Sequence, residues 1–102
     1  MCPRFHVDKV QCRLVTTYCG PSTQWLVNHD VDRQMLGAGN NGLPDDKSGL
    51  IKKEASIQQL MQGDIALLKG ESWDNNEGLG LVHRSPSMPK DEARLLLTFD
   101  FA

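Results

Sequence analysis

Two residues near the start of the chain, His6 and Asp8, form an H-x-D pair. Side chains two positions apart on a β-strand point to the same face of a sheet. An imidazole and a carboxylate can therefore reach one metal ion together, and a third ligand has to come from a distant segment. The best candidate is His83, which ends the run LGLVH. The sequence therefore predicts one divalent metal ion bound by His6, Asp8 and His83.

The chemistry of such a site depends on the face of the metal that the protein leaves open. Two histidines and one carboxylate on one face suit non-haem Fe(II), which binds a cosubstrate and dioxygen in its open positions. Two observations weaken this interpretation, because H-x-D pairs occur by chance and a lone histidine is more often hydrogen-bonded than a ligand. However, the chain has only three histidines, and two of them at the ends of predicted strands favour a metal site.

Three residues are candidates for binding a cosubstrate, and each has an alternative role. Arg94 lies eleven positions after His83 and could pair with a carboxylate. Strand alternation in RLLLTFDF speaks against this, because it would turn the apolar face inward and Arg94 outward. Arg84 is the reserve, although it should point away from the metal into a surface ion pair. Tyr18 could donate a hydrogen bond to a bound carboxylate or pack in the core, and Arg13 is expected to be exposed.

Short apolar runs separated by Gly and Pro carry these residues. Strands are predicted over 4–7, 11–19, 23–27, 65–68, 79–83 and 94–101, with one or two helical turns over 54–61. Residues 28–53 are rich in Gly and Asn and should form a long, mobile or irregular loop beside the opening of the barrel. Six short strands with hardly any helix predict an all-β fold, a small double-stranded β-helix (jelly-roll or cupin-like) barrel.

The composition describes an ordinary single domain spanning residues 1–102. The net charge of −2 and the scattered Lys and Arg argue against nucleic acid. No apolar run approaches the roughly 20 residues that cross a bilayer, which argues against a membrane span. Three cysteines without CxxC spacing and no signal-peptide pattern favour the cytoplasm. The position of H-x-D so close to Met1 indicates a domain truncated at its N-terminus or a strand supplied by another copy, so oligomerisation stays open.

The order of the motifs resembles the core of 2-oxoglutarate/Fe(II) dioxygenases of the prolyl-hydroxylase type. The H-x-D strand is followed by RLVTTY, GPST, a long loop, GDIALL, VH and a terminal strand that begins with Arg94. The resemblance implies Fe(II) at the three metal ligands and 2-oxoglutarate as cosubstrate. It also implies that Arg94 binds the far carboxylate of 2-oxoglutarate through a charge-assisted pair.

A closer resemblance is to the bacterial family called domain of unknown function 1826. It is carried by CPRFHVD, RLVTTYCGPSTQWL, GDIALLKGESW and VHRSP. It implies no established activity, a link to metal homeostasis that would suit zinc, and more chain ahead of the H-x-D pair. Three hypotheses therefore stay open. They are an Fe(II) oxygenase acting on an unidentified small molecule or side chain, a cupin-like protein in which zinc or another metal does other work, and a non-catalytic binding module.

Overall fold

The computed structural model describes residues 3–88 and 93–101, and these residues are mostly β, as predicted. They form six strands and three short 3₁₀ turns, and no longer helix occurs within them. The strands are β1 (Cys12–Cys19), β2 (Gln24–Leu26), β3 (Gln58–Gln59), β4 (Ile65–Lys69), β5 (Val82–Arg84) and β6 (Leu95–Phe101). No helix in these two ranges is both long and apolar enough to cross a membrane.

The strands form two antiparallel sheets of three strands each, in the orders β4-β1-β6 and β3-β2-β5. Strand β1 lies at the centre of the first sheet, and its β-branched and aromatic residues suit a strand with two neighbours. The described strands do not close into a barrel, since hydrogen-bonded pairing stops at the edges of the two sheets. The predicted closed barrel is therefore not seen in this part of the chain.

The N-terminal segment joins the second sheet at a single position. The His6 N–H donates to the His83 carbonyl at 2.9 Å, and the His83 N–H donates to the His6 carbonyl at 3.0 Å. The strand predicted over 4–7 is thus reduced to one antiparallel pair. That pair sets the two histidines side by side at the edge of β5.

The main apolar core lies between the second sheet and the long loop. Leu26 of β2 and Val82 of β5 are register partners, and both are buried. The loop covers them with Val31 and Leu50, which are also buried, and Phe5 completes the cluster. The loop is irregular, as predicted, with 3₁₀ turns at Asn28–Asp30, Arg33–Met35 and Gly37–Asn40. The loop nevertheless packs well, because it supplies two of the five buried core residues, and its residues Met35, Leu36 and Ile51 pack against that cluster.

Strand β6 departs most from the sequence expectation. Its alternate apolar residues point outward and are 45–62% exposed. With two exposed residues of β4 they form what we call the outer apolar face, which consists of Ile65, Leu67, Leu95, Leu97, Phe99 and Phe101. Arg94 instead is partly buried on the other side. The prediction that Arg94 points outward was therefore wrong, since alternation defines two faces but does not say which one meets the core.

The helical turns predicted over 54–61 were also wrong. Gln58 and Gln59 pair with β2, where Gln59 lies opposite Gln24. The Leu60 N–H donates to the Thr23 carbonyl at 2.9 Å and extends this pairing. The spacing of apolar residues that favoured a helix is overridden by backbone partners that the sequence does not reveal.

Candidate metal centre

The three predicted ligands come together at the edge of the second sheet. The His6 and His83 rings have centroids 4.6 Å apart. The Asp8 carboxylate lies beside both, with Oδ1 3.7 Å from His6 Nε2 and Oδ2 3.3 Å from His83 Nε2. One ligand atom from each residue lies within 4.8 Å of the other two. Ligand atoms at about 2.0–2.2 Å from one ion are separated by roughly 3–3.5 Å, so small side-chain shifts suffice for all three to share it.

Hydrogen bonds to backbone carbonyls determine which nitrogen of each histidine faces the position that the three ligands would share. His6 Nδ1 lies 2.8 Å from the Arg4 carbonyl, and His83 Nδ1 lies 2.9 Å from the Leu81 carbonyl. A carbonyl oxygen only accepts, so each Nδ1 carries the hydrogen that it donates. In the neutral ring Nε2 is then an unprotonated lone pair, which is the form that binds a metal.

Two buried atoms of the trio have no hydrogen-bond partner among the described residues, Asp8 Oδ2 and His83 Nε2. With His83 neutral, both present lone pairs to each other at 3.3 Å. Such an arrangement is repulsive unless a cation, a proton or a metal ion, lies between them. A buried polar atom left without a partner costs about 1–3 kcal/mol. The donor set and these two orphaned atoms therefore fit a divalent ion.

The surroundings of Asp8 and His6 favour the forms of these two side chains that bind a metal. Burial raises the pKa of Asp8, but the neighbouring His83, Arg13 and His6 lower it further, so the pKa lies below its ordinary value. Burial is the main cause that lowers the pKa of His6. A carboxylate and a neutral imidazole are the protonation states that a metal requires.

Arg13 touches the site, although the sequence predicts that it is exposed. Its Nη1 donates to Asp8 Oδ1 at 3.2 Å, while Nε and Nη2 donate to the two oxygens of Asp100 at 2.5 and 3.0 Å. The expectation of an exposed Arg13 was wrong because the face of β1 that carries it is the inner one. The sequence alone does not reveal the contact between Arg13 and Asp100, because it depends on the strand register, which places the two residues opposite each other.

Arg94 lies on the inner side of the molecule and is held by three groups. It donates from Nε to the Pro21 carbonyl at 2.8 Å, from Nη1 to Ser85 Oγ at 2.6 Å and from Nη2 to Thr23 Oγ1 at 3.2 Å. Burial lowers the pKa of Arg94. Arg94 and Ser85 line a pocket of about 330 Å³. Ser85 is two positions beyond His83, so this pocket begins roughly 7 Å along the chain from the metal ligand.

Arg84 and Tyr18 lie elsewhere. The Arg84 Nη1 forms an ion pair with Asp45 at 2.9 Å, Nε donates to Gln24, and the guanidinium stacks on Phe5 at 4.1 Å. Arg84 thus occupies the face of β5 opposite to His83, as its parity predicts. Tyr18 is 57% exposed beside a register shift in β1, so the expectation of a core tyrosine was wrong.

With this geometry established, comparison with known proteins adds one finding. The family model described as protein of unknown function (DUF1826) matches residues 1–100. The chain belongs to the DUF1826 family. No curated protein and no solved structure matches it. Because the family's description states no activity, the function of this DUF1826 member has to be argued from its own residues.

Sequence reasoning missed several polar residues around the site of this DUF1826 member. Arg13 was placed at the surface, and Ser85 and Thr23 were not considered as partners of Arg94. For Ser85 a signal exists, since it shares strand parity with His83. For Thr23 we find none, because the contact depends on how the two sheets approach each other.

Proposed function

We propose that this protein is a metal-dependent oxygenase that binds Fe(II) through His6, Asp8 and His83. The observation that carries the proposal is the pair of buried orphaned atoms, Asp8 Oδ2 and His83 Nε2, 3.3 Å apart. A divalent ion would satisfy both, and the bare Nε2 of His6 would supply the third ligand. Reduced iron also fits the reducing cytoplasm that the cysteine pattern favours.

The number of ligands favours a catalytic ion. In the described residues the metal-capable group contains three members, whereas structural zinc takes four protein ligands. Two histidines and one carboxylate on one side leave open positions for a cosubstrate. When bound, Fe(II) supplies the activation of dioxygen, and 2-oxoglutarate supplies electrons.

Arg94 supports 2-oxoglutarate as that cosubstrate. Its guanidinium has five N–H donors, of which three are engaged. Among residues 3–88 and 93–101 no carboxylate forms an ion pair with it. A partly buried cation that has no counter-charge among these described residues favours binding of an anion. The far carboxylate of 2-oxoglutarate would bind there, with the hydroxyls of Ser85 and Thr23 holding the guanidinium in place.

The path of the chain also supports a jelly-roll-like arrangement. Strand β1 belongs to the first sheet, β2 and β3 to the second, β4 to the first, β5 to the second and β6 to the first. Repeated crossing between two antiparallel sheets is the pattern of jelly rolls. We therefore interpret the two sheets as the two halves of a double-stranded β-helix.

An anaerobic titration tests this function. Protein purified without a metal-binding tag is loaded with Fe(II), and 2-oxoglutarate is added while the iron-to-ligand charge-transfer band is followed. We expect one bound Fe(II), and a band that His83→Ala abolishes. Arg94→Leu should weaken 2-oxoglutarate binding on the order of a hundredfold, because it removes a charge-assisted pair. Arg33→Leu, which removes an arginine bound to Asn28 and to the Gly80 carbonyl, is the matched control and should bind like the wild type once circular dichroism shows that it folds.

Other outcomes would redirect the assignment. Bound Fe(II) without a band would remove 2-oxoglutarate and leave a metalloprotein of another kind. Tight binding of Zn²⁺ with no retention of Fe(II) would favour the zinc-handling alternative. Failure to bind any divalent ion would overturn the metal site and leave a non-catalytic module.

A further inference from the structure

We propose that Arg13 is a positioning residue that holds Asp8 in one-oxygen coordination and so keeps a further position on the metal open. The inference rests on the proposed metal site. It concerns a residue that would not itself touch the ion. Its basis is the unequal environment of the two oxygens of Asp8.

The two Asp8 oxygens have different partners. Oδ1 accepts a hydrogen bond from Arg13 Nη1 at 3.2 Å. Oδ2 is buried, has no hydrogen-bond partner among the described residues and lies 3.3 Å from His83 Nε2. Arg13 thus draws electron density from one oxygen and leaves the other for the ion. A carboxylate with both oxygens free could instead chelate the metal through both.

Arg13 is itself held in a fixed orientation. Its Nε and Nη2 donate to Oδ1 and Oδ2 of Asp100, and the two residues are register partners across β1 and β6. A planar guanidinium bound along one edge by a carboxylate has its remaining nitrogen directed to one place. That nitrogen, Nη1, is the one that reaches Asp8. A lysine, with a single point of charge, could not hold both carboxylates in this way.

Asp8, Arg13 and Asp100 alternate in charge, and their side chains become more exposed in that order. The Asp8 side chain is 7% exposed, that of Arg13 is 22% exposed and that of Asp100 is 44% exposed. Asp100 offsets the positive charge of Arg13, so the guanidinium adds little net repulsion toward a bound dication. Asp8 therefore keeps its charge for the metal while its second oxygen is engaged.

The coordination mode matters for the proposed chemistry. An octahedral ion with two imidazoles and one carboxylate oxygen has three open positions. A cosubstrate that binds through two atoms, together with dioxygen, would use all three. If Asp8 bound through both oxygens, one of these positions would be lost. Arg13 would thus determine how many exogenous ligands the metal accepts.

Infrared spectroscopy of the Co(II)-loaded protein tests this assignment. The loaded-minus-metal-free difference spectrum isolates the carboxylate that binds the ion. The gap between its antisymmetric and symmetric stretches is wide for one-oxygen binding and narrow for two. We compare wild type, Arg13→Met, Arg13→Lys and Asp100→Asn. Arg33→Met, which removes an arginine that donates to Asn28 and to the Gly80 carbonyl, is the control.

We expect a wide gap in the wild type and in Arg33→Met, and a narrow gap in Arg13→Met and Arg13→Lys. The lysine variant keeps the charge, so a narrow gap there attributes the effect to geometry. If the Arg13 variants fail to fold, Asp100→Asn tests the role of Arg13 instead, because Asp100 is exposed. It should give a gap between those expected for one-oxygen and two-oxygen binding. An unchanged wide gap in the folded variants would overturn the role of Arg13 while the metal site stands. Failure of the wild type to bind Co(II) would overturn both.

Discussion

Asp8 and His83 form an unusual contact for two buried polar residues, because in the neutral form of His83 neither carries a hydrogen to share. Asp8→Asn should remove this conflict. The amide oxygen could still accept from Arg13, and the amide nitrogen could donate to His83 Nε2. We expect the metal-free protein to gain about 1 kcal/mol in free energy of unfolding and to lose measurable metal binding.

Urea unfolding in the presence of a chelator checks this prediction, and a Co(II) titration of the same variant checks the loss of binding. A clear loss of stability in Asp8→Asn would contradict the account. It would show that Asp8 and His83 form a favourable ion pair with a protonated ring, and the argument for a metal ion would lose its basis.

The pKa shift of His6 predicts how the metal-free protein responds to acid. Burial is the main cause that lowers the pKa of His6 in the folded state. A group whose pKa is lower in the folded state loses its stabilising contribution as the pH falls through that range. Stability should therefore decline below about pH 6.5, where an ordinary histidine begins to bind protons.

Urea midpoints measured across this pH range test the shift of His6. In His6→Gln, which cannot titrate, the decline between about pH 6.5 and 5 should be shallower. Equal pH dependence in the variant and the wild type would show that His6 does not contribute. His29, which is exposed in a 3₁₀ turn, gives the matched control His29→Gln.

At the scale of elements, Asp45 connects the long loop to the segment that carries His6. It accepts a hydrogen bond from the Phe5 N–H at 3.0 Å and forms the ion pair with Arg84 at 2.9 Å, and its side chain is only 10% exposed. Asp45→Ala leaves a half-buried guanidinium without its partner and should cost about 2–4 kcal/mol. Metal affinity should fall as well, since Phe5 is adjacent to His6.

Chemical unfolding and a Co(II) titration measure both effects. Asp46→Ala is the control, because Asp46 is the exposed neighbour. If Asp45→Ala lowered stability but left metal affinity unchanged, the N-terminal segment would not depend on the loop for its position.

The elements also show what the sequence can predict. Strand β1 was expected over 11–19 and is found at Cys12–Cys19. It could be predicted because its long run of β-branched and aromatic residues favours a strand without reference to distant contacts. The His6–Asp8–His83 group followed from residue type and parity. The partners of Arg13 and Arg94 could not be predicted, since they depend on register and on which face of β6 turns inward. Those are properties of the assembled sheets.

At the scale of the whole molecule, the outer apolar face exposes more apolar surface than is usual for a monomer. Its six residues expose on the order of 600–700 Å² of mostly apolar surface, at or above the largest patch of a typical monomer. This approaches the roughly 800 Å² that each partner contributes to a standard interface. We expect the 102-residue chain to self-associate as its concentration rises, and Phe99→Lys to suppress this.

Light scattering coupled to size exclusion measures the mass over a range of concentrations. Lys53→Glu, a charge change at an exposed residue outside the sheet that carries the outer apolar face, is the control. A wild-type chain that stays monomeric and does not bind a hydrophobic dye would contradict the prediction.

Anomalous diffraction from crystals soaked in Co(II) tests the central claim, the metal centre, most directly. The account predicts one strong peak within about 2.0–2.3 Å of His6 Nε2, Asp8 Oδ2 and His83 Nε2, with Asp8 Oδ1 still bound to Arg13. The absence of a peak at these atoms after soaking in saturating Co(II), or a peak only at another site such as His29, would contradict the account.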